Sequence, residues 1–234
     1  MLLKKYHRPR ERSVGVYSMK SLVIVDYGSG NLHSVQQSVS RVANELKEEW
    51  TIITSSDPKE VSKSDYIILP GVGNFADCRQ SLAEIQDMEQ VLETRVQEQA
   101  VPFLGICVGM QLMATKGFEG NLVSGLNWID GSVLPLSPKP KVEYKIPHMG
   151  WNKVSICNSN HSLSSKLAND LFYYFVHSYH FVPDNFNDCL AFTDYGEHVT
   201  AIIARDNKIG TQFHPEKSQK AGLNLISAFL NWHI

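Results

Sequence analysis

The amino-acid sequence predicts an α/β fold: a mostly parallel central sheet flanked by helices, with antiparallel strands added. Three observations lead there. Apolar runs alternate with helical patterns through the first half of the chain, the rhythm of βαβ units. Several of those runs, "DYIILPG" and "VPFLGI" among them, are apolar on both faces, as strands covered from both sides must be. From about residue 119 the segments become shorter, more aromatic and separated by Gly and Asn/Asp turns, which indicates antiparallel pairing.

The elements follow in order. "SLVIVDYGSGN" gives a buried strand over residues 22 to 25 stopped by a Gly-rich loop, and Leu32, Val35, Val39, Val42, Ala43 and Leu46 then recur at helical spacing. "WTIIT" is a short strand, "DPKEVSKS" a turn, "DYIILPG" another buried strand, and residues 88 to 99 a charged helix leading into the strand 101 to 106. Residues 108 to 114 read as a further helix. Later strand-like words are "GLNWIDGSVLPL", "IPHMGWNKVSI", "FYYFVHSYHFV" and "HVTAIIARDNKIGTQF". Trp128, Trp151 and the aromatic cluster Phe172 to Phe175 read as core. The chain closes on a helix whose apolar face is Ala221, Leu225, Ile226, Phe229 and Leu230.

Composition narrows the function classes. With 234 residues and 43% hydrophobic content the chain can bury a full core, and Lys+Arg 22 against Asp+Glu 24 gives no reason to expect a nucleic acid partner. Four widely spaced cysteines, with no Cys-x-x-Cys pair and no metal-ligand spacing, fit a reducing compartment. No stretch approaches the roughly 18–20 apolar residues of a membrane span, so a soluble cytoplasmic protein without membrane contact is expected. Residues 1 to 20 stand apart as a basic extension, disordered or a start placed too early, because Lys4, Lys5, Arg8, Arg10, Arg12 and Lys20 meet only Glu11.

Chemistry concentrates in three motifs. "GICVG" places Cys107 between Gly105 and Gly109 where a strand gives way to a helix, the layout of a nucleophile elbow. A thiol at a helix N-terminus also feels the positive end of the dipole, which favours thiolate. "QFHPEKS" ends a strand, and in an extended segment His214 and Glu216 would point to the same side, a base with its orienting carboxylate. In "ILPGVGNF" a buried strand ends in Gly71, Val72 and Gly73, whose backbone N–H groups, together with that of Val108, could form an oxyanion hole. Together they describe acyl transfer through a thioester. Histidine precedes its acid here, which argues against an esterase order of nucleophile, acid and histidine.

At these residues the sequence resembles the class I (triad-type) glutamine amidotransferases, with their flavodoxin-like fold, and within them the glutaminase subunits of imidazole glycerol phosphate synthases. The words that carry the likeness are "VDYGSGN", "PGVGNFADC", "PFLGICVGMQLMA", "IPHMGWN", "YFVHSY" and "QFHPEKS", so one amidotransferase domain is expected over residues 21 to 234. The resemblance implies that Cys107 forms a glutamyl thioester from L-glutamine, with His214 and Glu216 completing the triad. It places Gln111 against bound glutamine, and Ser178 and Tyr179 at its amino-acid end. Ammonia would pass to a (β/α)₈ cyclase subunit making imidazole glycerol phosphate and AICAR in histidine biosynthesis. Asn31, Trp151 and Lys217 would lie at that interface. The family also implies weak glutaminase activity until the partner is docked and loaded, with the PGVG strand taking part in that control.

Other readings stay open beside this one. A paralogous subunit could feed ammonia to another synthase, for instance in amidino-sugar synthesis; a non-catalytic scaffold and an independent cysteine hydrolase are also compatible with the fold. "DYGSGNLH" lacks the third glycine of a dinucleotide loop, His33 standing in its place. His177 and His180 have no obvious third ligand, so neither metal nor cofactor is expected and both read as packing or surface residues.

Overall fold

The structure is a computed structural model that describes residues 19–46, 48–140, 143–159 and 161–232. Most of the basic segment read over residues 1 to 20 lies outside those residues. The first half of the chain alternates as the apolar rhythm requires. Strand β1 (Lys20–Val25) leads to helix α1 (Leu32–Leu46), which buries Val35, Val39, Val42 and Ala43. Strand β2 (Trp50–Ser55), helix α2 (Pro58–Val61) and strand β3 (Tyr66–Gly71) follow. Helix α3 (Phe75–Ala83), which the sequence reading passed over, is started by Asn74, whose side chain accepts from the Ala76 and Asp77 N–H groups. Helix α4 (Met88–Glu93) runs into a π-helical turn over Thr94–Glu98 before strand β4 (Phe103–Cys107).

The expected helix over 108 to 114 is shorter than read. Helix α5 (Val108–Gln111) is a single turn, and residues 112 to 114 close it with tighter bonds such as Met113 N–H to the Met110 carbonyl. Strands β5 (Lys116–Glu119) and β6 (Asn121–Ser124) form a hairpin, followed by β7 (Gly131–Pro135), β8 (His148–Ile156), β9 (Leu171–His177) and β10 (Tyr179–Pro183). Strands β11 (Cys189–Asp194), β12 (His198–Arg205) and β13 (Lys208–Thr211) precede the closing helix α6 (Gln219–Leu230).

Among the described residues the strands assemble into a nine-stranded sheet, β2-β1-β3-β4-β13-β12-β11-β8-β9, and a four-stranded sheet, β10-β7-β5-β6. Strands β2, β1, β3, β4 and β13 are mutually parallel, the 2-1-3-4-5 order of flavodoxin-like folds, and β12, β11, β8 and β9 extend the sheet antiparallel. The sheet is thus mixed, its antiparallel wing nearly as wide as its parallel part. Strand order reverses between β1 and β3, so right-handed crossovers put α1 on one face and the helices that follow β2 and β3 on the other. Accordingly α1 packs on α6, while α2 and α3 pack on α4.

Edge strand β9 revises the expected core. Its side chains alternate, so Tyr173 and Phe175 are buried while Phe172 is 57% exposed, and on paired β8 Trp151 is 47% exposed. A run of aromatics on an edge strand cannot all point inward. Trp128 is buried as read, edge-on to Phe103.

Candidate active site

The site lies at the carboxyl ends of β3, β4 and β13, where an open α/β sheet leaves its crevice. Parallel pairing sets Gly71 directly beside Cys107 and Thr211 beside Ile106, so the PGVG turn and the His214 segment converge on the thiol from both sides. Cys107 has φ 53 and ψ −109, a left-handed conformation rare for a side-chain-bearing residue, and it is the sharp corner between β4 and α5. The flanking glycines make that corner possible by close approach. A Cβ on Gly109 would sit 1.8 Å from the Leu69 carbonyl oxygen, and one on Gly105 2.6 Å from the Gly109 oxygen.

A cleft of about 240 Å³ opens onto Cys107, lined also by Val72, Gly73, Gln111, Ser178 and Tyr179. That is below the roughly 300–1,000 Å³ of drug-sized sites and suits a small polar ligand. Ser178 links β9 to β10, the point where the chain leaves the large sheet for the small one, and its carbonyl accepts the Leu136 N–H. Gln111 is buried, with its Nε2 donating to the Tyr179 carbonyl (3.0 Å) and to Gln212 Oε1 (3.1 Å). Glu119, Pro147, Val176 and His177 also line the cleft. Pro147 and Val176 lie inside the words "IPHMGWN" and "YFVHSY" but were not singled out there, and Glu119 lies in none of the six words. Glu119 is occupied in part as a cap, its Oε2 accepting the Phe75 N–H at 2.7 Å.

His214 and Glu216 do converge, though not along a strand. His214 is extended, but Pro215–Lys217 forms a 3₁₀ turn, and Glu216 reaches back across it to place Oε1 2.9 Å from His214 Nδ1. Both side chains are 2% exposed. Burial opposes the imidazolium, yet the Cys107 thiol and the Glu216 carboxylate outweigh it and hold His214 up at about 10. Among the described residues Nε2 of His214 has no hydrogen-bond partner, which leaves that nitrogen for the sulfur. The turn is anchored to β9, because the His214 N–H donates to the Tyr174 carbonyl, and Ser218 Oγ donates to the His214 carbonyl and accepts the Tyr174 N–H.

Of the backbone N–H groups expected to form an oxyanion hole, one is already committed elsewhere. Val108 opens α5, so no helical carbonyl can reach its N–H. The Val72 N–H, however, is committed to Ser29 Oγ (2.9 Å), whose hydroxyl donates back to the Val72 carbonyl (2.7 Å). Gly71 is packed against Tyr27, where an added Cβ would meet the phenol oxygen at 2.5 Å. Gly73, at φ +116, lines the cleft.

The remaining positions fall elsewhere. Asn31 accepts the first α1 bond, from the Val35 N–H. Trp151 meets the Tyr174 ring edge-on at 6.1 Å, and Lys217 Nζ stands 5.9 Å over the same ring. His177 and His180 are buried, and His177 Nε2 is 2.9 Å from His148 Nδ1. Among the described residues no three His, Cys, Asp or Glu side chains are grouped to hold a metal ion.

A buried cysteine at a strand-to-helix corner, beside a histidine held by a glutamate, at the carboxyl edge of a flavodoxin-like sheet is an arrangement able to carry acyl transfer through a thioester. The glutamine amidotransferase class-I family model matches residues 23–231. The "Imidazole glycerol phosphate synthase subunit HisH" of Rhodopseudomonas palustris is 49% identical over 215 residues, covering 91% of this chain and 99% of that protein. The subunit of the same name from Bradyrhizobium diazoefficiens is 48% identical, with 91% and 99% covered. In fold, a glutamine amidotransferase from Thermotoga maritima superposes with a TM-score of 0.61 at 15% identity, covering 92% of this chain and 84% of that one. The chain therefore belongs to the class-I glutamine amidotransferases and, within them, to the HisH family.

Proposed function

We propose that this chain is the glutaminase subunit of an imidazole glycerol phosphate synthase, with one catalytic domain from about residue 21 onward. The single observation that carries the site assignment is that Cys107, on the wall of the cleft, has His214 beside it and Glu216 behind His214. The Cys107 thiolate attacks the side-chain carboxamide carbon of glutamine. The His214 imidazolium, held by Glu216, gives its proton to the departing nitrogen, so ammonia leaves and a glutamyl thioester remains. With the sulfur's charge gone, His214 loses one of the two partners that kept it protonated. It then accepts a proton from the attacking water, and collapse of the second tetrahedral adduct frees glutamate and the thiol.

Gln111 presents Oε1 to the cleft and suits the ammonium of glutamine, and Ser178 and Tyr179 border the same end. Val108 offers one oxyanion donor. Gly73 and Val72 supply the other once the PGVG turn rotates away from Ser29, with Gly71 as the hinge on the strand side. The partner is a (β/α)₈ cyclase that receives ammonia and makes imidazole glycerol phosphate and AICAR, in the cytoplasm. Its docking face is the apolar strip of Met149, Trp151, Tyr174 and Val176, which runs up to the cleft mouth and is bordered by Lys217, and Asn31, on the loop after β1, is a further contact expected from the family likeness. Among the described residues no helix is long and apolar enough to cross a membrane.

The test is a division of labour. Cys107→Ala in the assembled synthase is expected to abolish glutamine-dependent synthesis while ammonia-dependent synthesis survives. Loss of both activities in an intact complex would contradict the assignment.

A further inference from the structure

Gln212 follows β13 and is fully buried, with its own N–H donating to the Ala201 carbonyl. A buried primary amide needs partners for both ends, and here they are a second amide and a sulfur. Nε2 of Gln212 is 3.7 Å from Cys107 Sγ, and Oε1 accepts from Gln111 Nε2 at 3.1 Å.

The orientation is fixed from outside the pair. The Tyr179 carbonyl can only accept, so Gln111 must turn its NH₂ group toward it, at 3.0 Å. The second hydrogen of that group then requires an acceptor on Gln212, which places the Gln212 oxygen toward Gln111. The NH₂ of Gln212 is left facing the sulfur. Flipping either amide would set donor against donor or oxygen against oxygen in a buried space.

We propose that Gln212 is a positioning residue of the glutaminase site: its amide donates to the Cys107 sulfur and favours the thiolate, while its oxygen holds Gln111 in the orientation that leaves Gln111 Oε1 free for substrate. The proposal rests on the reading of Cys107 as the nucleophile. One side chain thereby ties the reacting sulfur to a group lining the glutamine cleft. A donor that binds the thiolate more strongly than the thiol, which accepts only weakly, shifts the balance toward the reactive form.

Two variants separate the two ends. Gln212→Glu keeps an acceptor for Gln111 and replaces the sulfur-facing donor with an oxygen. Gln212→Met keeps the approximate volume and removes both functions. Site-resolved alkylation of the full chain by iodoacetamide, followed across pH by mass spectrometry, is expected to show Cys107 reacting about tenfold slower near neutrality in both variants. The pH profile should be displaced to the alkaline side in both. In the assembled synthase kcat for glutamine should fall in both variants, whereas KM should rise only in Gln212→Met. Buried Cys78, read in the same spectra, reports whether each variant is folded. In the unaltered protein the side-chain amide proton signals of Gln212 should shift when Cys107 is alkylated.

Variants that are folded and alkylated with the original pH profile, or amide signals that ignore the modification, would overturn the proposal. If alkylating Cys107 in the unaltered chain leaves glutamine hydrolysis intact, it is the nucleophile assignment that fails, and the role of Gln212 falls with it.

Discussion

Cys107 is held in a conformation that costs about 1–3 kcal/mol for a residue with a side chain, and the surrounding backbone enforces it. Strand β4 fixes one end, and Gly109 against Leu69 fixes the other. His214 is the complementary case: burial lowers its proton affinity, and the contacts with Cys107 and Glu216 raise it to about 10. Because the folded value is raised, the stabilisation of the imidazolium is fully present below the unfolded value of 6.5 and is lost as pH rises through about 10. Glu216→Gln removes one raising partner, so the alkaline limb of the glutaminase pH profile is expected to move to lower pH. Turnover should fall by about a hundredfold, less than on losing Cys107, since the nucleophile remains. A pH–rate profile of the variant checks this, and an unmoved alkaline limb would mean that Glu216 does not set the charge of His214.

At the scale of elements, the proposed oxyanion site is completed only if the turn after β3 rearranges. Ser29 grips both the N–H and the carbonyl of Val72, and Ser29 belongs to the loop after β1, across the point where strand order reverses. Ser29→Ala removes both bonds. Glutamate release by the isolated chain is then expected to rise several-fold, corresponding to about 1 kcal/mol of lost restraint; a rate equal to or below that of the parent would show that the Ser29 bonds do not restrain the turn. Strands β3 and β4 were legible in the sequence because each is a short run apolar on both faces that leads into a glycine turn. Helix α3 was not, because it buries only Phe75, Cys78 and Leu82 and reads as a loop beyond PGVG. His214 and Glu216 were found by their spacing, but the 3₁₀ turn that joins them depends on Ser218 and Tyr174, the latter far back in the chain. Gln212 stood inside a motif already read, yet its partners lie 101 and 105 positions away, and no local pattern connects them.

At the scale of the molecule, the two sheets meet at Ser178 and Tyr179, and the seam is locked by buried neutral histidines. His177 Nδ1 is 2.9 Å from the Tyr179 carbonyl and its Nε2 2.9 Å from His148 Nδ1, so each ring carries its proton on Nδ1. Burial lowers His148 to about 4 and, with its neighbour, His177 to about 3. Above the unfolded value of 6.5 both states are neutral and nothing is lost. Below it the unfolded chain takes up protons that the folded chain refuses, so stability falls with pH until the folded values are reached. The urea midpoint is therefore expected to drop from about pH 7 to about pH 5, and His148→Gln should flatten that drop; a midpoint constant across this window in the parent protein would contradict the neutral pair. The same seam borders the cleft and, through β8 and β9, the strip of exposed Trp151 and half-buried Tyr174, so the cleft and the proposed docking face share one wall. The most direct measurement of the whole account is glutamate release from glutamine by the purified chain, alone and then with the cyclase subunit of imidazole glycerol phosphate synthase loaded with its nucleotide substrate. A low rate alone and strong stimulation by the loaded partner is the predicted result. A high rate that the partner leaves unchanged, or no release under either condition, would contradict it.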